Sequence, residues 1–176
     1  MEHPMNGVSC TGDDHPAELK EETLASDLLS VYGMAQPSPV PLTGTETLDA
    51  MQLLLDCLRF FKPQIEKALS CANDSHSFND IIHGVMGGKY HIVPSPHWVM
   101  ITEVHTFPNH KDYHVFIAAG DMDGIINDGI PQLEAEARKF GCKHISMCGR
   151  EGWKRVLKPV GWTAPLTVMY KEVQNG

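Results

Sequence analysis

Three potential metal ligands, Cys142, His144 and Cys148, lie along one predicted strand, "CKHISMC". Alternate residues of a strand point to the same side, so these side chains would share one face of a sheet. Zinc needs ligands that converge on a tetrahedron, however, and at ~3.3 Å per residue the two cysteines would stand roughly 20 Å apart. They cannot bind one ion, and small cysteines buried in a core strand are the ordinary alternative. The sequence therefore predicts no metal site.

Three further histidines, His105, His110 and His114, surround the predicted turn "FPNHKDY". Histidines around a turn are more often solvated than bound to an ion. We therefore assign them no role from the sequence.

Motifs for nucleophilic catalysis and phosphate binding are missing from the sequence. There is no G-x-S-x-G segment, and Cys148, although a helix start follows it, has no identifiable histidine and orienting partner. No G-x-x-x-x-G-K-[ST] loop occurs either. The glycine-containing segment 120–129 carries three aspartates, which would repel a phosphate.

The composition is that of a globular chain with an acidic balance. It has 176 residues, 42% of them hydrophobic, so we expect one domain with a sizeable core and additional segments. The net charge of -8 argues against general nucleic-acid binding, which relies on basic surface. The five cysteines are scattered, which predicts a reducing compartment without disulfides. Neither a membrane span nor a signal peptide is predicted.

One window, residues 138–158, departs from this acidic balance. It contains half of the chain's 14 basic residues and a single acid, Glu151. A solvated helical face is the ordinary explanation of such a run, and a phosphate-binding surface is the functional one. The basic residues are Arg138, Lys139, Lys143, Arg150, Lys154, Arg155 and Lys158.

Residues 1–44 are predicted to form an arm outside the compact domain. Within it, residues 16–32 place Leu24, Leu28 and Val31 on one side of an amphipathic helix, and a proline-rich linker follows. A short helix with so small an apolar stripe needs a surface to pack on. That surface is either its own domain or a partner, and the sequence leaves both alternatives open.

The compact domain is predicted over residues 45–176, in the order α, α, β, β, β, α, β, α, β. The first helix is kinked or divided at Pro63, and a capping box of Ser77 and Asp80 opens the second. Three strands rich in β-branched and aromatic residues follow as an antiparallel meander. A helix, a strand, a short helix and a last strand over residues 166–173 complete the order.

This order, together with the segments "HVFIAAGD", "EARKFGCKHISMCGREGW" and "LKPVGWTAPLTVMYKEV", resembles the GCN5-related N-acetyltransferase (GNAT) family. The resemblance covers about three quarters of the chain, from residue 45 to 174. It implies an α/β (α+β) fold with a mixed, mostly antiparallel central sheet flanked by helices. The small GNAT-like proteins of tailed bacteriophages, including podovirus internal virion or core-assembly proteins, are similar.

The family binds the pyrophosphate of acetyl-CoA with backbone amides of [QR]-x-x-G-x-[GA], at the start of a helix. The corresponding residues here run from Asp121 to Ile126, and only Gly124 matches. An acid replaces the glutamine or arginine, and a bulky isoleucine replaces the small residue. The tyrosine that protonates the leaving thiolate in many members has no equivalent, since the nearest aromatic residue is Trp153, whose indole is no general acid.

The resemblance nevertheless implies candidate residues for an acyl-CoA site. Glu103 would be the base, while Gly120, Gly124 and Arg150 would contact the cofactor, acetyl-CoA. In the segment "GREGW", Gly149 and Gly152 are expected to relieve crowding and Trp153 to pack inward. The alternative is that Arg150 and the basic window replace the lost phosphate loop.

Two functions follow from the resemblance. The first is a phage-encoded GNAT-fold protein with a degenerate acyl-CoA site, used in virion assembly or inside the virion, whose arm contacts phage structural proteins. Its location would be the host cytoplasm or the virion. The second is an active acetyl-CoA-dependent N-acyltransferase acting on an unknown amine. The resemblance alone leaves enzyme activity undecided.

Overall fold

A computed structural model describes residues 44–71, 75–171 and 173 of the chain. The predicted arm, apart from its last residue, lies outside the described residues. The domain boundary at residue 45 therefore stays a prediction.

Helices form the first part of the domain. Helix α1 spans Gly44–Phe60 and α2 spans Lys62–Ser70, with Pro63 in the first turn of α2, where its missing N–H is no loss. The predicted division near Pro63 is confirmed. Helix α3, Phe78–Met86, begins with the predicted capping box: the Asp80 carboxylate accepts from the Ser77 backbone N–H at 2.8 Å, and the Ser77 hydroxyl accepts from the Asp80 N–H.

Four strands form one sheet in the order β1-β2-β3-β4. The strands are β1 (His91–Pro94), β2 (Trp98–Thr106), β3 (Lys111–Gly120) and β4 (His144–Met147). The first three are antiparallel neighbours, which confirms the predicted meander, and β4 is parallel to β3. The parallel pairing requires a crossover, which the segment between β3 and β4 provides.

The crossover is helical over nearly its whole length. A short turn, Met122–Gly124, and a π-helical turn, Ile125–Gly129, lead into α4, Ile130–Lys139. After β4, helix α5 (Glu151–Leu157) continues as a single 3-10 turn, Lys158–Val160. Gly161 ends that turn with a φ of 89°, a left-handed conformation that glycine adopts without strain.

The sheet buries both faces. Helices α1 to α3 pack on one face against Val99, Ile101, Ile117 and Ala119. Helix α4 packs on the other face, where the buried strand residues include Trp98, Met100, Tyr113 and Val115. Helices on both faces of a mixed, mostly antiparallel sheet are the predicted fold class, which is confirmed.

A β-bulge in β3 changes its register with β2. Ile101 pairs with Ile117 whereas Thr102 pairs with Val115, so Phe116 is an extra residue opposite β2. Because a bulge reverses the alternation, Val115 faces α4 while Ile117 faces α1 to α3.

The predicted last strand, residues 166–173, is wrong: the described part of this segment has no regular secondary structure. Leu166 and Met169 are 85% and 89% exposed, and β4 is paired on one side only. A segment with high strand propensity forms a strand only when it pairs with a neighbouring strand. This segment does not pair with β4, so no strand forms in its described part. Separately, none of the described helices has the length and apolar character needed to cross a bilayer.

Candidate functional site

The parallel strands β3 and β4 diverge at the bulge. Pairing between β3 and β4 extends from Asp112 with His144 to Val115 with Met147 and stops there. Residues 116–120 of β3 continue beyond it, paired to β2 alone among the described strands. The backbone amides and carbonyls on that side of β3 therefore line an opening between the strands.

A small apolar cleft lies at this opening. Its enclosed space is about 10 Å³, close to that of one water molecule. The side chains around it come from β2 to β4, the crossover and α5. They are Met100, Val115, Ala118, Ile125, Ile130, Leu133, Met147, Trp153, Leu157 and Trp162.

The loop after β3 is the position at which the resemblance places the pyrophosphate. Here the Asp121 carboxylate accepts a hydrogen bond of 2.7 Å from the backbone N–H of Gly124. The donor that an anion would use is therefore bound to a side chain of the protein itself. The neighbouring Ile125 is buried and Ile126 is half-buried.

Both glycines proposed as cofactor contacts have packing roles in this loop. Gly120 has a φ of 106°, and a side chain there would overlap the His97 carbonyl and the Trp98 backbone. A Cβ at Gly124 would lie 2.7 Å from Cδ1 of Trp98 and 3.0 Å from the Asp121 carboxylate. A side chain at either glycine would clash with Trp98, which is almost completely buried. A role in cofactor binding stays a prediction.

Arg150 is the residue before α5, and its side chain is exposed. It makes no capping hydrogen bond to the helix. Several other basic residues of the window form ion pairs with acids one turn away, a pattern typical of solvated helix faces. These pairs are Arg138 with Glu134, Lys139 with Glu136, and Lys154 with Glu151.

The segment "GREGW" has the predicted architectural role in part. A Cβ at Gly149 would lie 2.8 Å from Cδ1 of Trp153, which packs inward against the core beneath α4. Gly152 differs from the expectation, because nothing lies within 4 Å of a Cβ built there. It faces open space at the first turn of α5 and relieves no crowding.

Glu103, the candidate base, lies on β2 on the face opposite the cleft. Its side chain is 18% exposed, and its carboxylate lies 3.1 Å from Nε2 of His105. The His105 ring stacks on His114 with 4.6 Å between centroids, and His114 Nδ1 lies 3.1 Å from the Ser146 hydroxyl. A carboxylate, two imidazoles and a hydroxyl therefore form a connected polar row across three strands.

The sequence assigns His114 no role because it borders a predicted turn. It lies inside β3, directly across from Glu103. Burial lowers the pKa of its imidazole, and the neighbouring His105 lowers it further, against opposing effects of Glu103 and Asp112. Alternation within β3 places Asp112 and His114 on one face, whereas the pairing of His114 with Glu103 depends on the register between β2 and β3.

A second group of histidines meets at the start of β3. The Asp112 carboxylate lies 3.0 Å from Nδ1 of His144 and 3.4 Å from Nε2 of His110. Cys142 and Cys148, which were predicted to share a strand with His144, both lie outside β4, which covers only residues 144–147. The partner of His144 comes instead from the adjacent strand.

No protein-family model matches the chain, and no curated protein matches it. Its structure is similar to several solved structures. A GCN5-related N-acetyltransferase from Ralstonia eutropha JMP134 has a TM-score of 0.51 at 18% identity, over 70% of this chain and 94% of that one. A protein named as a probable acetyltransferase has a TM-score of 0.51 at 9% identity, over 69% and 94%.

A Bacillus halodurans protein, solved as a tetramutant, gives a TM-score of 0.50 at 11% identity and covers 70% of this chain and 96% of its own. At such identities the similarity shows the fold alone. The chain thus has the fold of the GCN5-related N-acetyltransferases, as the order of its elements predicted.

Proposed function

We propose that this chain is a GNAT-fold protein whose acyl-CoA site is degenerate and does not support efficient acetyl transfer. The observation that carries the proposal is the hydrogen bond between Asp121 and the Gly124 N–H, at 2.7 Å. A pyrophosphate would have to displace a carboxylate of the same charge sign and leave it close by. Both effects weaken anion binding at this helix start.

The cleft between β3 and β4 supports the same proposal. The free space inside this cleft is about 10 Å³, room for one water molecule, so an acyl-pantetheine arm would have to lie across its open side. The bulky residues Met147 and Trp153 contribute to its walls. Burial of a thioester inside the cleft would require these side chains to move.

A binding role without catalysis agrees with the function that the resemblance implies, virion assembly in a tailed phage. We carry that role as part of the proposal, with the arm of residues 1–44 as the segment that contacts a structural protein of the particle. Co-purification of the full chain with virion proteins, compared with a chain that starts at residue 45, tests this part.

The second candidate, an active N-acyltransferase, is favoured by a different observation. The edge of β3 beyond the bulge offers unpaired amides and carbonyls to an extended molecule that carries amides, as pantetheine does. On the opposite face, Glu103 and His114 are cross-strand partners. A carboxylate and an imidazole there could accept the proton of an attacking amine.

Calorimetric titration of the full chain with acetyl-CoA separates the two candidates. A ligand present at 100 times its Kd stabilises a protein by about 2.7 kcal/mol, so thermal melts with millimolar cofactor are a sensitive second measurement. The degenerate site predicts no heat of binding and no shift. Micromolar binding together with acetylation of any amine, detected chromatographically and reduced in Glu103→Gln, would overturn the proposal in favour of the enzyme.

A further inference from the structure

We propose that His110, Asp112 and His144 form a binding site for a divalent transition metal of the zinc class, at the edge of the sheet away from the acyl-CoA cleft. The three potential ligand atoms lie within 4.8 Å of one another. Imidazole nitrogen and carboxylate oxygen are the donors that zinc takes in sites with an open position. The site is independent of the function proposed above.

The backbone holds these three residues on one face. Asp112 of β3 and His144 of β4 are paired in the parallel register, so their side chains are neighbours. His110 lies just before β3, and its Nε2 is 3.4 Å from the Asp112 carboxylate. Two hydrogen bonds fix the surrounding segments: Phe107 N–H to the His110 carbonyl at 2.8 Å, and Lys143 N–H to the Lys111 carbonyl at 2.8 Å.

The distances are those of a site that a small ion can occupy. Ligand atoms of tetrahedral zinc, each about 2.0–2.1 Å from the ion, stand roughly 3.3 Å from one another. Two of the three separations are 3.0 Å for His144 and 3.4 Å for His110, both to Oδ1 of Asp112, and the third is at most 4.8 Å. The second oxygen of that carboxylate and small side-chain rotations leave room for the three donors to converge.

Exposure and electrostatics agree with this use. The Asp112 side chain is 17% exposed, whereas His110 and His144 are 32% and 51% exposed. The carboxylate is thus held in place by its neighbours while the imidazoles border solvent, from which an ion would enter. The protein would supply three metal ligands, and a water molecule would complete the tetrahedral coordination of the ion.

Charges nearby bear on affinity for a cation. His105 lies directly across from Asp112 on β2, and Lys111 is the adjacent residue of β3. The His105 ring already stacks on His114 and lies 3.1 Å from Glu103, so its preferred partner is a different carboxylate. Asp112 therefore remains available to His110 and His144.

The competing explanation is an ordinary ion pair, in which protonated imidazoles donate to Asp112 and no metal binds. The two explanations differ in one measurable respect. A metal site binds one ion with an affinity that depends on all three side chains, whereas an ion pair responds to no metal. The ligands come from both β3 and β4, so an ion would also fasten the edge strand to the hairpin and raise the melting temperature.

Calorimetric titration of the full chain, without an affinity tag, with Zn²⁺ tests the site. We expect one ion per chain, and we expect His144→Ala and Asp112→Asn to raise the Kd at least about tenfold, the lower end of what loss of even an indirect partner costs. His83→Ala is the matched control, because His83 is an exposed histidine on α3 that lies outside the cluster. It should bind as the parent does.

Absorption of Co²⁺ bound in place of zinc identifies the donors. Exposed cysteines such as Cys71 and Cys148 could bind the same ions, and thiolate ligands produce an intense near-ultraviolet charge-transfer band that nitrogen and oxygen ligands lack. We expect visible cobalt bands without that charge-transfer band. Absence of binding to the parent, unchanged binding in folded His144→Ala, or a thiolate band that accounts for the bound ion would each overturn the proposal.

Discussion

The Asp121 carboxylate lies 2.7 Å from the backbone nitrogen of Gly124 and accepts its hydrogen bond at the start of the crossover. Under the proposed function, this single acidic side chain weakens anion binding at the loop. The weakening is reversible by a small change, because a serine hydroxyl would cap the same N–H with an uncharged and weaker hydrogen bond that a phosphate can displace.

Asp121→Ser should therefore increase affinity for acetyl-CoA. The variant removes a negative charge from the loop, and we expect roughly a three- to tenfold gain in affinity, or a first detectable signal if the parent gives none. Calorimetry is the measurement. Asp128→Ser removes an equally exposed charge from the π-helical turn without touching the Gly124 donor, and a similar gain in that variant would attribute the effect to net charge alone.

Alanine at Gly124 should destabilise the domain, and alanine at Gly120 should do so more strongly. At Gly124 the new Cβ would lie 2.7 Å from the Trp98 ring, an overlap of the kind that costs about 1–3 kcal/mol. At Gly120 the cost in stability has two sources, the strain of a side chain at a positive φ of 106° and a clash of its Cβ with backbone atoms. Urea unfolding measures both.

Gly152→Ala is the control for these substitutions. No atom lies within 4 Å of its Cβ, and alanine in place of glycine stabilises a helix by up to about 1 kcal/mol. We expect unchanged or increased stability. A loss as large as that at Gly124 would contradict the packing explanation.

Cysteine reactivity should follow burial. Cys57 is completely buried in α1, and burial raises the pKa of its thiol to about 12, so almost no thiolate is present in the folded protein. Cys71 and Cys148 are exposed. Peptide mass spectrometry after brief alkylation should find these two modified and Cys57 unmodified until denaturant is added. Early modification of Cys57 would show that α1 opens readily.

The capping box of α3 should add a pH-dependent component to stability. Hydrogen bonds from the Ser77 hydroxyl and then from the Ser77 N–H lower the pKa of Asp80 from its ordinary value of 3.8. A carboxyl group with a lowered pKa in the folded state contributes stability above the unfolded value, and the contribution is lost as pH falls through the folded value. The loss therefore lies in the acid range, below the unfolded pKa.

Thermal melts of the parent and of Asp80→Asn, taken between about pH 7 and about pH 2, measure this component. The two melting temperatures should differ most at neutral pH and approach each other in acid. Ser77→Ala removes the hydroxyl donor to Asp80 and retains the backbone N–H donor. The change in its melting temperature with pH should therefore lie between those of the parent and Asp80→Asn. A difference that stays constant with pH would exclude the linkage.

Most of the fold could be predicted because its signals are local. The break near Pro63, the capping box at Ser77 and the three strands of the meander each depend on residues within one turn or one hairpin. Propensity and period act over such short distances. The order of elements then restricts the topology, and the same order carried the resemblance to the acetyltransferase fold.

The candidate sites were harder to predict from the sequence, because they depend on pairing between distant segments. The bulge at Phe116, the end of the β3–β4 pairing at Val115 and the approach of His144 to Asp112 all follow from which strand lies beside which and in what register. Residues 112 and 144 meet only when the crossover helix packs on the sheet, and no local pattern encodes that register.

The sequence by itself determined the types and order of the elements as far as α5, the acid in the cofactor loop and the lack of a tyrosine directly after β4. The tertiary structure decided that Asp121 caps Gly124, that His110 and His144 share one carboxylate, and that the apolar segment after Trp162 stays unpaired. The physical reason is range: propensity acts along the chain, whereas pairing and packing depend on neighbours that only the folded chain brings together.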